Sequence, residues 1–134
     1  MIERLVVVGS GVMGRGIAYV GAVGGFQTTL VDVKQEQLDS ARNEITSIFE
    51  QAVARGKLTP GARQEAETRL SYSLDLVAAV QGADLVIEAV PEKLELKKQV
   101  FETIDAHAPA SCYLATNTST MSPTEIGSFT KRPD

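Results

Sequence analysis

The chain has 134 residues, 43% of them hydrophobic, with a formal net charge of −4 and one cysteine. That is the length of one domain with enough apolar residues for a real core. The acidic balance speaks against a nucleic-acid partner, no apolar run is long enough to cross a membrane, and Ile2 leads straight into a strand with no signal peptide before it.

Strand one is expected over about 2–8, an apolar run that feeds directly into Gly9-Ser10-Gly11-Val12-Met13-Gly14. Helix A follows over about 12–24, with Ile17, Val20 and Val23 facing inward and Gly24-Gly25 ending it. Strand two, about 27–32, ends in Asp32, eighteen residues after Gly14. A strand, a glycine turn, a helix and a second strand ending in an acid together form the dinucleotide-binding fingerprint. Gly9 lets the chain turn sharply, Gly11 lets the backbone approach a pyrophosphate, and Gly14 lets the helix pack closely. The helix N-terminus offers free N–H groups and a partial positive charge to that pyrophosphate. The turn residues Gly9, Ser10, Gly11, Val12, Met13 and Gly14 are therefore the expected cofactor cradle. Asp32 is expected to accept hydrogen bonds from both ribose hydroxyls. A 2′-phosphate would meet its carboxylate with no arginine close behind, which favours NAD over NADP.

Leu38, Ala41, Ile45, Ile48, Phe49, Ala52 and Val53 recur at helical spacing, so a long helix is expected over about 35–55. Gly56 stops it, and Thr59-Pro60 then reads as the cap and first turn of another helix, about 60–69. The pair reads as a helical hairpin inserted after strand two. A short strand over about 70–73, a short helix over about 74–81 and a buried strand over about 85–90 come next. Helix 93–107 turns Leu94, Val100, Phe101 and Ile104 inward, a fifth strand covers about 111–116, and a last helix begins near Ser122-Pro123. The alternation predicts an α/β fold, a Rossmann-type doubly wound parallel sheet with helices on both faces. Lys131-Arg132-Pro133-Asp134 reads as a loop leading toward another strand, so the sheet is expected to be incomplete at that end and the chain to be the front part of a larger protein.

Cys112 cannot close an internal disulfide and reads as a core residue rather than a nucleophile, which fits a cytoplasmic setting. No metal site is expected. Glu88, inside an apolar strand, reads as a side chain aimed at the ligand end or at a neighbouring backbone rather than as a catalytic acid. His107 reads as a solvated residue at a helix end rather than as a base.

Four features resemble the N-terminal NAD-binding domain of the L-3-hydroxyacyl-CoA dehydrogenases, including bacterial 3-hydroxybutyryl-CoA dehydrogenases. They are Gly9 to Gly14 with Gly16 and Ala18 behind it, the hairpin after Val31-Asp32-Val33, the run from Ala83 to Glu92 followed by Leu94-Glu95-Leu96-Lys97-Lys98, and Thr116-Asn117-Thr118-Ser119. The resemblance implies oxidation of an L-3-hydroxyacyl-CoA to the 3-ketoacyl-CoA by NAD⁺. It places Ser119 on the substrate oxygen, Asn117 next to the nicotinamide end, and Val90, Glu92 and Lys97 along the NAD site. It makes the hairpin a CoA-facing arm, with Ser47 and Lys57 as CoA contacts, and the full-length protein a homodimer.

The family's catalytic histidine lies in a His-Phe-Phe-Asn-Pro-like segment that is absent from these 134 residues. The chain alone is therefore expected to bind NAD without turning over substrate. Its start at strand one favours a monofunctional dehydrogenase over one fused to a hydratase. Two alternatives remain at this point. One is a 3-hydroxyacid dehydrogenase of the 6-phosphogluconate type, against which the hairpin and Asp32 count; the other is a non-catalytic NAD-binding module.

Overall fold

The computed structural model describes residues 3–90 and 93–116. Five parallel strands, β1 (Arg4–Val8), β2 (Gln27–Val31), β3 (Leu70–Ser73), β4 (Leu85–Glu88) and β5 (Tyr113–Thr116), form one sheet in the order β3-β2-β1-β4-β5. The helices are α1 (Val12–Val23), α2 (Gln35–Ala54), α3 (Pro60–Arg69), α4 (Leu76–Gln81) and α5 (Leu94–His107). The β2-to-β3 connection carries both α2 and α3, where the sequence placed an inserted pair. The expected helix near Ser122-Pro123 lies outside the described residues.

Both faces of the sheet are covered, as a parallel sheet requires. On one face Leu5, Val7 and Leu30 pack with Ala18 and Ala22 of α1, Leu38, Ala41, Ile45 and Phe49 of α2, and Ala66 of α3. On the other, Val6, Val8 and Val86 pack with Val80 of α4 and Val100, Phe101 and Ile104 of α5. Cys112 is buried in this second layer. Thr59 caps α3, its hydroxyl accepting the Ala62 N–H at 3.1 Å, and Pro60 follows at the first helical position. The α2 C-terminus is closed by Gly56 at φ +73°, a conformation that suits glycine. Arg69 donates to the Ala22 carbonyl at 3.0 Å, tying the end of α3 to the end of α1. The Arg42 guanidinium lies 4.5 Å from the Tyr72 ring centre, tying α2 to β3.

Some sequence expectations need correction. Val20 and Val23 do not face inward; they are 67% and 39% exposed. The buried side of α1 consists of Gly14, Ala18, Gly21 and Ala22. A Cβ on Gly21 would stand 2.6 Å from Leu5 Cδ2 and 3.0 Å from Thr28 Oγ1, so only the smallest residues fit against the sheet. Ile17 keeps its expected side, half-buried against the core. Helix α4 begins at Leu76 rather than Leu74, capped by the Asp75 carboxylate accepting the Ala78 N–H at 3.1 Å. Strand β4 ends at Glu88, two residues before the expected end, and β5 begins at Tyr113 rather than Ser111.

Candidate dinucleotide-binding site

The carboxyl ends of three strands are level: Val8 of β1 pairs in register with Val31 of β2 and with Glu88 of β4. The connections from β1 and β4 leave toward opposite faces of the sheet, since α1 packs on one and α5 on the other. The crevice between those connections is where an open α/β sheet takes a ligand. A cleft of about 860 Å³ opens there, lined by the glycine turn, Asp32, Val33, Leu74, Ala89 and Val90, among others.

The turn is built by close backbone packing. Gly9 has φ +106°, and a Cβ on it would stand 2.6 Å from the Ala89 carbonyl oxygen. A Cβ on Gly14 would overlap the Gly9 carbonyl oxygen at 1.7 Å. Gly14 thus fits helix to turn as well as helix to sheet. Gly11 differs: a Cβ there would meet nothing within 4 Å. The space beside it is open cleft. Gly11 is also the N-cap of α1, with no side-chain cap and no acidic residue in the first turn. The leading N–H groups of α1 have no intrahelical acceptor, so the helix end presents donors and partial positive charge to the cleft. Val12 and Met13 are exposed on its rim.

Asp32 sits just past β2, and its backbone N–H donates to the Ser73 carbonyl at 3.2 Å. Its Oδ2 accepts two hydrogen bonds from Ser10, from the backbone N–H at 3.0 Å and from the hydroxyl at 2.7 Å. Its Oδ1 accepts the Val33 N–H at 2.7 Å. Partial burial pushes the carboxyl up, but the Ser10 hydroxyl and the backbone donors of Ser10, Val33 and Lys34 outweigh it. The group is held below its ordinary value of 3.8. An ionised carboxylate at this point suits ribose hydroxyls and repels a phosphate.

The opposite wall is different. Glu88 and Lys97 are both at 0% exposure, with Lys97 Nζ 2.7 Å from Glu88 Oε2. The same Oε2 accepts the Val90 N–H at 2.7 Å, and Lys97 also donates to the Val90 carbonyl at 3.4 Å. The backbone of Val90, a cleft-lining residue, is thus held from both sides by one ion pair. Lys97, expected along the NAD site, does not open onto the cleft. It lies on the same helical stripe as Val100, Phe101 and Ile104, which packs on the sheet. Glu88 binds a neighbouring backbone, one of the two roles the sequence allowed it.

The structure brings Gly9, Ser10, Gly11, Val12, Met13, Asp32 and Val90 to one cleft. Gly14 sits directly beneath it against Gly9. Ser47 and Lys57 are not among the residues lining it. Ser47 is half-buried on α2 and accepts a hydrogen bond from Gln51 at 3.4 Å, and Lys57 is exposed beyond the helix end. Glu92, Asn117 and Ser119 lie outside the described residues. His107 is exposed at the last turn of α5, the helix end that leads to the start of β5 and away from the cleft. Val33, Lys34, Gln37, Leu74, Leu76, Leu96 and Val100 also line the cleft, and sequence reasoning missed them in this role. Val33 is 83% and Leu74 50% exposed, an apolar rim beside Asp32 suited to a flat aromatic base. The one sequence signal for Val33 was its place directly after the acid. Among the described residues no group of acidic, cysteine or histidine side chains could hold a metal ion, and no helix is long and apolar enough to cross a membrane.

A parallel sheet with its switch point between β1 and β4, a glycine turn at a helix N-terminus and an ionised acid on the next strand define a dinucleotide-binding domain. Residues 4–134 match the family described as "3-hydroxyacyl-CoA dehydrogenase, NAD binding domain". The chain belongs to that family, and its cofactor is NAD. It is 40% identical over 133 residues to the 3-hydroxyadipyl-CoA dehydrogenase of Escherichia coli, covering 99% of this chain and 28% of that protein. It is 35% identical over 132 residues to the probable 3-hydroxybutyryl-CoA dehydrogenase of Bacillus subtilis, covering 98% and 46%. The fold superposes on the crystal structure of 3-hydroxybutyryl-CoA dehydrogenase from Escherichia coli with a TM-score of 0.94 at 40% identity, covering 99% of this chain and 28% of that one. The chain thus spans less than half the length of these curated relatives.

Proposed function

We propose that the complete protein containing this domain oxidises an L-3-hydroxyacyl-CoA to the 3-ketoacyl-CoA, or runs the reverse reaction. The observation that carries this reading is the family match over residues 4–134, laid on a cleft whose turn, helix end and acid suit a dinucleotide. NAD supplies the hydride acceptor when bound. Gly11 leaves room for the pyrophosphate, the α1 N-terminus offers it donors, and Asp32 faces the adenosine ribose. Glu92 and Asn117 belong at the nicotinamide end and Ser119 at the substrate oxygen. Ser47 and Lys57 belong to a CoA-facing arm. His107 is on the wrong side of the sheet to act as base, so the proton acceptor is assigned to the remainder of the complete protein. Assembly as a homodimer in the cytoplasm is part of the same reading.

The test is NADH formation by the complete protein, supplied with NAD⁺ and a series of L-3-hydroxyacyl-CoA esters. Turnover with at least one ester is expected. Ser119→Ala should lower turnover while leaving NAD affinity within about twofold, as loss of a substrate contact alone would. NAD binding without turnover of any ester would leave the domain a cofactor module and defeat the proposal.

A further inference from the structure

Asp32 is already in use before any cofactor arrives. A carboxylate has about four acceptor positions, two on each oxygen. Ser10 fills both positions on Oδ2, with its N–H at 3.0 Å and its hydroxyl at 2.7 Å. Val33 fills one on Oδ1 at 2.7 Å, and the Lys34 N–H adds a weaker pull on the group. Ser10 itself is 1% exposed. Its side chain is spent inward on the acid and does not reach the open cleft. The backbone half of this clamp would survive any side chain at position 10. The hydroxyl half depends on serine.

We propose that Ser10 is a positioning residue that turns Asp32 into a single-hydroxyl receptor: its hydroxyl closes Oδ2, and the adenosine ribose is held through Oδ1 by one hydroxyl only. The two-hydroxyl contact expected from the sequence requires Oδ2, and Ser10 occupies it. The clamp also keeps the carboxylate in one orientation, which lowers the ordering cost of forming the ribose contact. The inference rests on NAD being the cofactor.

Calorimetry on the complete protein tests it, with NAD⁺ and its adenosine 2′-deoxy and 3′-deoxy analogues as probes. In the wild type, removing one of the two hydroxyls should weaken binding about tenfold or more, since it loses a bond to a charged acceptor, and removing the other should change Kd by less than about twofold. Ser10→Ala opens Oδ2, so both analogues should then bind about tenfold or more weaker than NAD⁺ does to that variant. Ser10→Thr, which keeps the hydroxyl, should restore the one-sided pattern. A purely structural serine would shift the melting temperature without changing the analogue pattern. Equal sensitivity to both deletions in the wild type, or an unchanged pattern in Ser10→Ala, overturns the inference. Failure of the wild type to bind NAD⁺ would instead remove the cofactor reading beneath it.

Discussion

The two walls of the cleft treat charge in opposite ways. On the β2 side, Asp32 is half-exposed and held by neutral donors, the Ser10 hydroxyl and the backbone N–H groups of Ser10 and Val33. On the β4 side, Glu88 is fully buried and held by a counter-charge, Lys97. Neutral donors keep the first carboxylate ionised and leave its charge uncancelled, so it can select a ligand. The buried pair cancels its own charge, and what it fixes is the backbone of Val90. One wall carries recognition and the other carries shape.

The largest expected effect separates the walls outright. Lys97→Met strands an uncompensated carboxylate in the core and should cost about 3–5 kcal/mol of unfolding free energy. Pairing it with Glu88→Met should recover most of that loss, because the pair is replaced by apolar volume. Urea denaturation of both variants checks this, and a Lys97→Met protein as stable as wild type would show that the ion pair does not hold this wall.

Next in size is the turn between the walls. Gly14→Ala would drive a Cβ into the Gly9 carbonyl, which is backbone and cannot swing aside. The expected cost is about 3 kcal/mol or more, again read by denaturation, together with loss of NAD binding. A variant melting with the wild type would mean that the turn can open without penalty.

The Asp32 side should respond to pH. Its folded-state value lies below the ordinary 3.8, so its contribution to stability is fully present above that value and is lost as pH falls through the lower folded one. Asp32→Asn should therefore flatten the acid limb of the stability curve below about pH 4 and leave the neutral region little changed. It should also narrow the preference for NAD over NADP, because Lys34 remains in the same cleft once the carboxylate charge is gone. An acid limb identical to wild type would show that Asp32 does not titrate with folding.

The smallest change in stability is expected at Gly11. Nothing stands within 4 Å of a Cβ there, so Gly11→Ala should stay within about 0.5 kcal/mol of wild type. NAD affinity should nevertheless fall, because the added methyl enters the space left for the pyrophosphate. Calorimetry and melting on one sample separate the two effects, and unchanged affinity would move the pyrophosphate away from Gly11.

Much of this site was legible in the amino-acid sequence. The glycine spacing, the strand before it and Asp32 after it are local, and each follows from backbone sterics or strand length. The buried ion pair was half legible. Lys97 shares a helical stripe with Val100, Phe101 and Ile104, and Glu88 interrupts an apolar strand, so each charge stood at a core position. Opposite charges at two such positions are a signal for a buried pair, but the resemblance pointed Lys97 toward the cofactor instead. The inward valines of α1 failed for a different reason. Hydrophobicity ranked Val20 and Val23 above the glycines, while the short distance between α1 and the sheet admits only Gly14, Ala18, Gly21 and Ala22.

The sequence by itself determined the alternation of strands and helices, the two helices after strand two, and the turn that marks the cofactor site. Those features depend on periodicity and on residues close together in the chain. Only the tertiary structure decided what each polar group holds. The Ser10 hydroxyl meets Asp32 across 22 positions of sequence because β1 and β2 pair with Val8 opposite Val31. Lys97 meets Glu88 because α5 packs on β4. A hydrogen bond needs placement to within a few tenths of an ångström, and strand register and helix packing supply that placement, whereas residue type alone does not.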